Sequence, residues 1–440
     1  MTDQVNHKLK NGAASPLAEA NAVAVVVGHV ATPQVTSASL LHQPLSRRAL
    51  WLRWAIGLGL GVLFTWLSLR DWPVAQIFDG RLQFVHGHFD AWMVRLISDR
   101  GAAIWSLDLP ILGMYLLMLT AIHWLRVLRW RPLLEPYAKV PVRALNRAGA
   151  IGFMAVFLLP LRLGEFARPL LLARDDVDHD PVPFGAGLGS VALERVLDGL
   201  LVAGLLFVVL FEVHPATLAR YPGFRIGAWL SVAVFASAFG ALLATFWARD
   251  FTMRWTRKII GIISIALADK LLALVTSFID GLAVLKSPLH VAQFVGLTVV
   301  YWGVNGLGIW LFARGFGLEM PIVAAYAMMA CVVVGMMVPS GPANAGTFWH
   351  FLLLPAGLYG IDDHAPRTVA FALALWLVQT GQLMVFGLWG SWVDARMLAR
   401  LRRDEAADRD NQADDSDNQA DDSDEQADDS DEQAEEAPSK

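Results

Sequence analysis

Three charged residues stand inside an apolar segment of the chain. The stretch LPLRLGEFARPLLLAR, residues 159–174, spaces Arg162, Glu165 and Arg168 three apart, so on a helix they would share roughly one face. Each would cost at least about 2.5–3.5 kcal/mol at the centre of a lone membrane helix. A carboxylate between two guanidinium groups lowers that cost, so this spacing indicates ion pairing within the membrane.

The same stretch interrupts its own helix. Pro160, Gly164 and Pro169 disfavour regular helical hydrogen bonding and free backbone polar groups. Irregular backbone at membrane depth is tolerated only inside protein or beside a water-filled cavity. We therefore predict a charged, broken segment that lines a polar cavity. The alternative is that the apolar segment ends near Pro160 and its charges lie at the cytoplasmic interface.

A second charged group follows in SVALERVLDGLLV, which contains Glu194, Arg195 and Asp198. Acidic residues favour the N-terminal end of a helix, which accounts for Glu194 but poorly for Arg195. A network that joins this group to Glu165 and Arg168 would satisfy all five residues.

A second broken apolar segment, VPSGPANAGTFWHF, is too rich in proline and glycine to form a regular helix. Its notable residues are Pro339, Gly341, Pro342, Asn344, Gly346 and Thr347. Amides before a helix starting near Thr347 could face an anion such as phosphate; an ordinary interfacial loop is the alternative. Two interrupted segments in the two halves of a membrane protein often mark a transporter's binding site.

Composition defines the scaffold for these residues. The 440-residue chain is 55% hydrophobic and 17% charged, against about 25% charged in soluble domains, and several apolar runs approach the roughly 20 residues that cross a bilayer. We predict an all-α, polytopic membrane helix bundle. Clear spans are expected at about 51–69, 104–125, 186–211, 226–248, 290–313, 321–338 and 368–392.

Basic clusters orient the bundle. Arg126, Arg129 and Arg131 begin a basic stretch that should be cytoplasmic, and residues 395–403 form another. With both termini cytoplasmic the crossings must be even in number, so about eight are expected. Either one of the broken segments or the amphipathic segment at 259–287 must then also cross. Residues 71–100 mix aromatic and charged residues and are expected to lie at the outer interface.

The two ends of the chain differ in composition and charge from the predicted transmembrane domain at 46–400. Residues 1–45 are predicted to be a disordered arm, and residues 401–440 a disordered tail with an acidic seven-residue repeat that has no apolar seam. Residues 404–440 carry a net charge of -15 against -5 for the whole chain, which leaves +10 for residues 1–403.

Several functional classes find no support in the sequence. Cys331 is the single cysteine, so an internal disulfide and any cysteine-based metal site are excluded. The acidic run Asp175–Asp180 matches no metal-ligand spacing, and no Ser/His/Asp arrangement or phosphate loop occurs. We therefore predict no catalytic residue, no metal, no cofactor and no nucleic-acid partner.

Four sequence elements, in order over about 50–393, resemble the transmembrane region of lysylphosphatidylglycerol synthases, a flippase-like family of integral membrane proteins. They are Arg129-Trp130; Pro160, Arg162, Gly164, Glu165 and Arg168; Glu194, Arg195 and Asp198; and Pro339, Pro342, Asn344, Gly346, Thr347 and Phe348. Two positions depart from the pattern: Ala343, where many members have glycine, and Trp349, where many have an acidic residue or glutamine. The aminoacyl-transferase domain of full synthases does not occur in the sequence.

The resemblance implies an inner-membrane protein that moves a phospholipid or a polyprenyl-linked lipid between leaflets, with the two broken segments as re-entrant elements. Arg162, Arg168 and Arg195 would then bind the lipid phosphate. Glu165, Glu194 and Asp198 would orient those arginines or bind a cationic head group, and Asn344 and Thr347 complete the expected substrate-binding set. The expected location is the bacterial plasma membrane.

Two other functions stay open. One is a membrane-embedded transferase that uses a lipid-phosphate donor and needs a carboxylate free to act as a base. The other is a scaffold whose acidic tail recruits a basic partner, and deleting residues 404–440 would abolish its function. Glycines such as Gly303, Gly306 and Gly308 permit close helix packing, including packing in a homo-oligomer, but they specify no partner.

Overall fold

A computed structural model describes residues 47–86, 92–174, 179–261, 265–337 and 342–397, together with Ala399 and Arg403. The predictions for the N-terminal arm 1–45 and for the acidic tail from residue 404 lie outside these residues. So do residues 175–178 of the acidic run, and Pro339 and Gly341 of the second broken segment.

The described chain is mainly helical, which confirms the predicted all-α membrane bundle. The helices are α1 (Arg47–Leu69), α2 (Val74–Phe78), α3 (Leu109–Leu128), α4 (Arg131–Leu134), α5 (Val142–Leu158), α6 (Ala167–Leu172), α7 (Phe184–Glu212), α8 (Pro215–Ala219), α9 (Pro222–Trp247), α10 (Arg249–Gly261), α11 (Ile265–Asp280), α12 (Pro288–Gly315), α13 (Ile322–Gly335), α14 (Thr347–Leu353) and α15 (Pro366–Met397). Short 3₁₀ segments are Pro160–Phe166, Ala283–Lys286, Pro342–Asn344 and Ala356–Tyr359.

Four stretches of the described chain are helical, long and apolar enough to cross a membrane: Leu109–Leu134, α9, α12 and α15. Helix α7 has 29 residues, about 44 Å at 1.5 Å per residue, which exceeds the roughly 30 Å hydrocarbon core. Unlike the four, it carries three charged residues, Glu194, Arg195 and Asp198, near the middle of its length. The count of eight crossings stays a prediction.

Residues 81–108 form a structure that the sequence analysis did not predict. Strands β1 (Arg81–His86), β2 (Trp92–Ile97) and β3 (Ala103–Asp108) make an antiparallel sheet in the order β1-β2-β3. Its register pairs Phe84 with Val94, and Val94 with Leu107. The alternation of polar and apolar residues in RLQFVH fits a strand. Strand β3 leads into α3, so this helix begins at residue 109 rather than near 104.

The core lies where α3, α7, α12, α13 and α15 pack together. Tyr115, Val202, Phe312 and Phe371 are among its buried side chains. A Cβ added to Gly306 would lie 2.2 Å from the ring of Tyr326 on α13, so this glycine serves close packing within the chain.

Both broken segments fold back on the helix before them. After α5 the 3₁₀ segment Pro160–Phe166 turns, and α6 returns along α5. A Cβ on Gly164 would lie 2.0 Å from the amide nitrogen of Val156, so glycine is required by the close approach of two backbone segments. In the second segment, a Cβ on Gly335 of α13 would lie 2.0 Å from the ring of Phe351 on α14.

Backbone strain is concentrated in these two segments. Within the described ranges, the non-glycine residues with positive φ are Arg162 (57°), Ala343 (58°) and Asn344 (51°). Asparagine tolerates this region, but most L-residues pay about 1–2 kcal/mol there. Such conformations persist only where the surrounding packing over-determines them.

Replacement of Ala343 by glycine should stabilise the protein by up to about 1 kcal/mol, because glycine adopts positive φ without a Cβ clash. We would measure this as a higher midpoint of thermal unfolding in detergent. The matched control is Ala374→Gly in α15, which should lower stability by about 1 kcal/mol through loss of helix propensity. A fall in the midpoint for both variants would contradict the strain at residue 343.

Candidate functional site

Arg162 connects the first broken segment to the end of α13, just before the second broken segment. Its Nη1 donates a hydrogen bond of 2.9 Å to the backbone oxygen of Met336, just after α13, and its Nη2 donates one of 2.6 Å to Oε1 of Glu165. The expected helical face of Arg162, Glu165 and Arg168 does not form, since Arg162 has a left-handed backbone in a 3₁₀ segment. The turn instead points the guanidinium toward the second segment.

A buried ion pair fixes α3 to α7. Arg129 is 1% exposed, and its Nη2 donates to Glu194 Oε1 and to Asp198 Oδ2, each at 2.8 Å. Nη1 of Arg129 also pairs with Oδ1 of Asp198. Trp302 of α12 donates its Nε1 to the same carboxylate at 3.0 Å. The two-pronged geometry of arginine suits such paired carboxylates.

Arg168 completes the pairing of Glu194 from the other side. Its Nη1 donates to Oε2 of Glu194 at 2.9 Å, and both side chains are almost fully buried. The guanidinium carbon lies 4.9 Å from the ring centroid of Trp130 and 5.0 Å from that of Phe153. Each oxygen of Glu194 therefore faces a guanidinium group, which offsets the cost of burying its charge.

Arg195 and Glu165 form the more exposed edge of the same network. Their side chains are 28% and 17% exposed. Nη2 of Arg195 donates to Glu194 at 2.7 Å, whereas its Nε lies 3.7 Å from Oε2 of Glu165. The Nη2 atom of Arg168 lies at the same distance from that oxygen. The structure thus brings the five residues of the predicted network together, with Arg162 beside them.

Sequence reasoning missed Arg129 as a member. The sequence predicts a cytoplasmic basic stretch for it with Arg126 and Arg131, but just past the end of α3 it is buried against α7 through its ion pairs with Glu194 and Asp198. Its neighbour Trp130 is also buried and donates to Ser190 Oγ at 3.0 Å. The available sequence signal for burial of Arg129 was the Arg129-Trp130 element of the family resemblance. A tryptophan directly after an arginine is unusual for a solvated loop.

A cavity of about 150 Å³ opens beside this network. Arg162, Glu165, Arg195 and Asp198 line it, whereas Arg168 and Glu194 do not and lie behind the wall. Residues from α3, α5, α12, α13 and α15 complete the lining. The polar residues that sequence reasoning missed there include His123, Arg126, Tyr301, Asn305, Gln379 and Gln382. Much of the remaining wall is apolar, as at Phe153, Met329 and Val333, so the cavity suits a ligand with both charged and apolar parts.

The structure does not bring Asn344 and Thr347 to this cavity. Both are buried, at 6% and 0% exposure, and neither lines it. A Cβ on Gly346 would lie 2.2 Å from the backbone nitrogen of Thr65, so the start of α14 packs against α1. Trp349 contacts the rings of Trp72 and Trp376. This tryptophan therefore packs among aromatic rings.

Replacement of Arg129 by methionine should destabilise the protein by about 3–5 kcal/mol, because buried Asp198 loses its closest counter-charge and Glu194 loses one of its guanidinium partners. Thermal unfolding and the yield of monodisperse protein in detergent would measure this. The matched control is Arg70→Met, which breaks an exposed pair with Asp71 and should change stability by less than about 1 kcal/mol. Equal effects of the two variants would contradict the structural importance of the buried pair.

Comparison with known proteins places this arrangement in a family. A family model described as the lysylphosphatidylglycerol synthase transmembrane region matches residues 54–387, about three quarters of the chain. The match includes the whole network and the residues that line the cavity. No curated protein and no solved structure gives a match. The chain, a multi-pass membrane protein, belongs to the family of lysylphosphatidylglycerol synthase transmembrane regions.

Proposed function

We propose that this protein moves a phospholipid or a polyprenyl-linked lipid between the leaflets of the bacterial plasma membrane, with both termini in the cytoplasm. The observation that carries the proposal is the charged cavity inside an apolar helix bundle. Arg162, Glu165 and Arg195 expose fixed charges there, among helices long and apolar enough to span a membrane. Membership of a lipid-related membrane family supports the same substrate class.

The physical problem of lipid translocation is the polar head group. Transfer of a charged group from water into hydrocarbon is very costly unless other charges or hydrogen bonds replace its hydration. Fixed guanidinium and carboxylate groups supply that replacement, while the acyl or prenyl chains stay in lipid. Arg162 and Arg195 would contact the phosphate, and Glu165 would orient them or contact a cationic part of the head group.

The buried part of the network would act on lipid only indirectly. Arg129, Arg168 and Glu194 lie behind the cavity wall and are paired with one another or with Asp198. They hold α3, α6 and α7 together and so fix the positions of Glu165 and Arg195. We regard them as positioning residues for the groups that face the cavity.

Passage of a head group requires the cavity to widen. Its volume of about 150 Å³ lies below the roughly 300–1,000 Å³ typical of sites for drug-sized ligands. Arg162 connects the first broken segment to the end of α13, just before the second, through its hydrogen bond to Met336. Separation of these segments, with Arg162 exchanging that bond for a lipid phosphate, is the movement that we propose.

The pairing of Glu165 weighs against a transferase. A carboxylate that acts as a base needs to be free to accept a proton. Glu165 instead lies within ion-pairing distance of three arginines, at 2.6 Å from Arg162 and at 3.7 Å from Arg168 and Arg195. Such neighbours favour its charged, proton-free form, and they make it a poor proton acceptor.

Replacement of Glu165 by glutamine should slow lipid movement about ten-fold or more, because three guanidinium groups then lose a shared counter-charge. We would reconstitute the protein in liposomes with fluorescent lipids that carry anionic, zwitterionic or aminoacylated head groups. The rate at which an external quencher gains access to inner-leaflet lipid reports translocation.

The matched control is Asp280→Asn, which removes one carboxylate from an exposed pair with Arg249 and should leave the rate unchanged. Equal rates for wild type and Glu165→Gln would contradict the use of this cavity. A folded wild-type protein that moves none of these lipids, nor a polyprenyl phosphate, would favour the transferase instead.

A further inference from the structure

Arg126 differs from the other arginines that line the cavity. Arg162 and Arg195 each lie within ion-pairing distance of a carboxylate. For Arg126, which lies on α3 and is partly buried, no carboxylate of the described residues lies at that distance. A guanidinium group that lines a cavity without a counter-charge costs free energy. The position of Arg126 therefore needs an explanation.

Neighbouring side chains hold the guanidinium plane of Arg126 in position but supply no negative charge to pair with it. Nε and Nη2 donate to the same acceptor, the hydroxyl oxygen of Tyr301, at 3.2 and 2.8 Å. The guanidinium carbon lies 4.6 Å from the ring centroid of Phe153 and 5.5 Å from that of Tyr301. Nη1 makes no hydrogen bond to a described residue. Stacking and one neutral acceptor thus orient the group and leave donors for a ligand.

The charged residues around the cavity also carry an excess of positive charge. Among the residues that the structure describes, five arginines and three carboxylates lie in or directly behind the cavity wall, an excess of two positive charges: Arg126, Arg129, Arg162, Arg168 and Arg195 against Glu165, Glu194 and Asp198. Because charges interact strongly where water is scarce, an anion that enters the cavity is favoured over a cation.

We propose that Arg126 binds the phosphate group of a lipid head group, and that this contact makes the cavity selective for phosphate-bearing lipids. The inference rests on the proposed function and narrows its substrate class. Guanidinium donors match phosphate oxygens in geometry and charge. Phe153 and Tyr301 keep the guanidinium in place, so little side-chain freedom is lost when the phosphate binds.

The test compares lipid affinities of the full-length protein in detergent. The probes are phosphatidylglycerol, diacylglycerol with the same acyl chains, and free glycerol 3-phosphate. Wild type should prefer phosphatidylglycerol to diacylglycerol. Arg126→Gln should weaken phosphatidylglycerol binding about ten-fold or more, as expected for loss of a charge-assisted hydrogen bond, and leave diacylglycerol binding unchanged.

A matched control exists in Arg396→Gln. Arg396 also stacks on an aromatic ring, 3.7 Å from the centroid of Trp392, but it is exposed and does not line the cavity. This variant should bind all three probes as wild type does. If Arg126→Gln fails to fold, Arg126→Lys provides the test. It keeps the charge but loses the planar fork, so its preference for phosphatidylglycerol should fall several-fold; an unchanged preference would overturn the proposal.

The remaining outcomes of the binding test distinguish failure of the Arg126 assignment from failure of the proposed function. Unchanged phosphatidylglycerol affinity in Arg126→Gln, in a protein that still moves lipid, would overturn the assignment of Arg126 and leave the function standing. Loss of that affinity, in a protein that moves no lipid, would support the binding site and contradict translocation. Glycerol 3-phosphate binding as tight as that of the lipid would assign the site to a soluble phosphate and overturn the lipid assignment.

Discussion

Two carboxylates and two guanidinium groups lie almost fully buried where the end of α3 meets α6, α7 and α12, and the rest of the site depends on their pairing. Glu194 and Asp198 would each be strongly destabilising without a counter-charge. Arg129 from α3 and Arg168 from α6 supply it, while Trp302 of α12 donates to Asp198. Because breaking this pairing would leave buried charge without a partner, it holds these helices together and sets where Glu165 and Arg195 face the cavity.

The two broken segments contribute a different kind of constraint. Each returns along its preceding helix at a glycine, Gly164 or Gly335, that leaves no room for a side chain. Each also contains backbone with unfavourable positive φ, at Arg162 in the first and at Ala343 in the second. Arg162 links them through Met336. Strain held by packing, together with the polar contact of Arg162, suits segments that change their separation while the paired charges behind them stay fixed.

The sequence predicted the parts of this protein that depend on local composition and spacing. Apolar runs gave the helices, and the cost of isolated charges in hydrocarbon singled out Glu165, Arg168 and Glu194. Arg129 was missed because its partners lie 65 and 69 residues away along the chain and its sequence neighbours are basic. Proline and glycine density predicted the break before Thr347 but not its packing partner: Gly346 is required by the close approach of α1. Local pattern did not reveal the sheet 81–108 either, since aromatic and charged residues are mixed there.

The most direct test of the central claim, that a lipid head group enters this cavity, is photolabelling of the unmodified protein in liposomes. The probe is phosphatidylglycerol with a photoreactive group on its head, and mass spectrometry identifies the labelled residues. We predict labels on cavity-lining residues such as Asn305 and Gln382, and their loss when excess unlabelled phosphatidylglycerol, but not diacylglycerol, competes. Labels confined to residues exposed on the outside of the bundle, such as Val234 and Val385, would contradict the account.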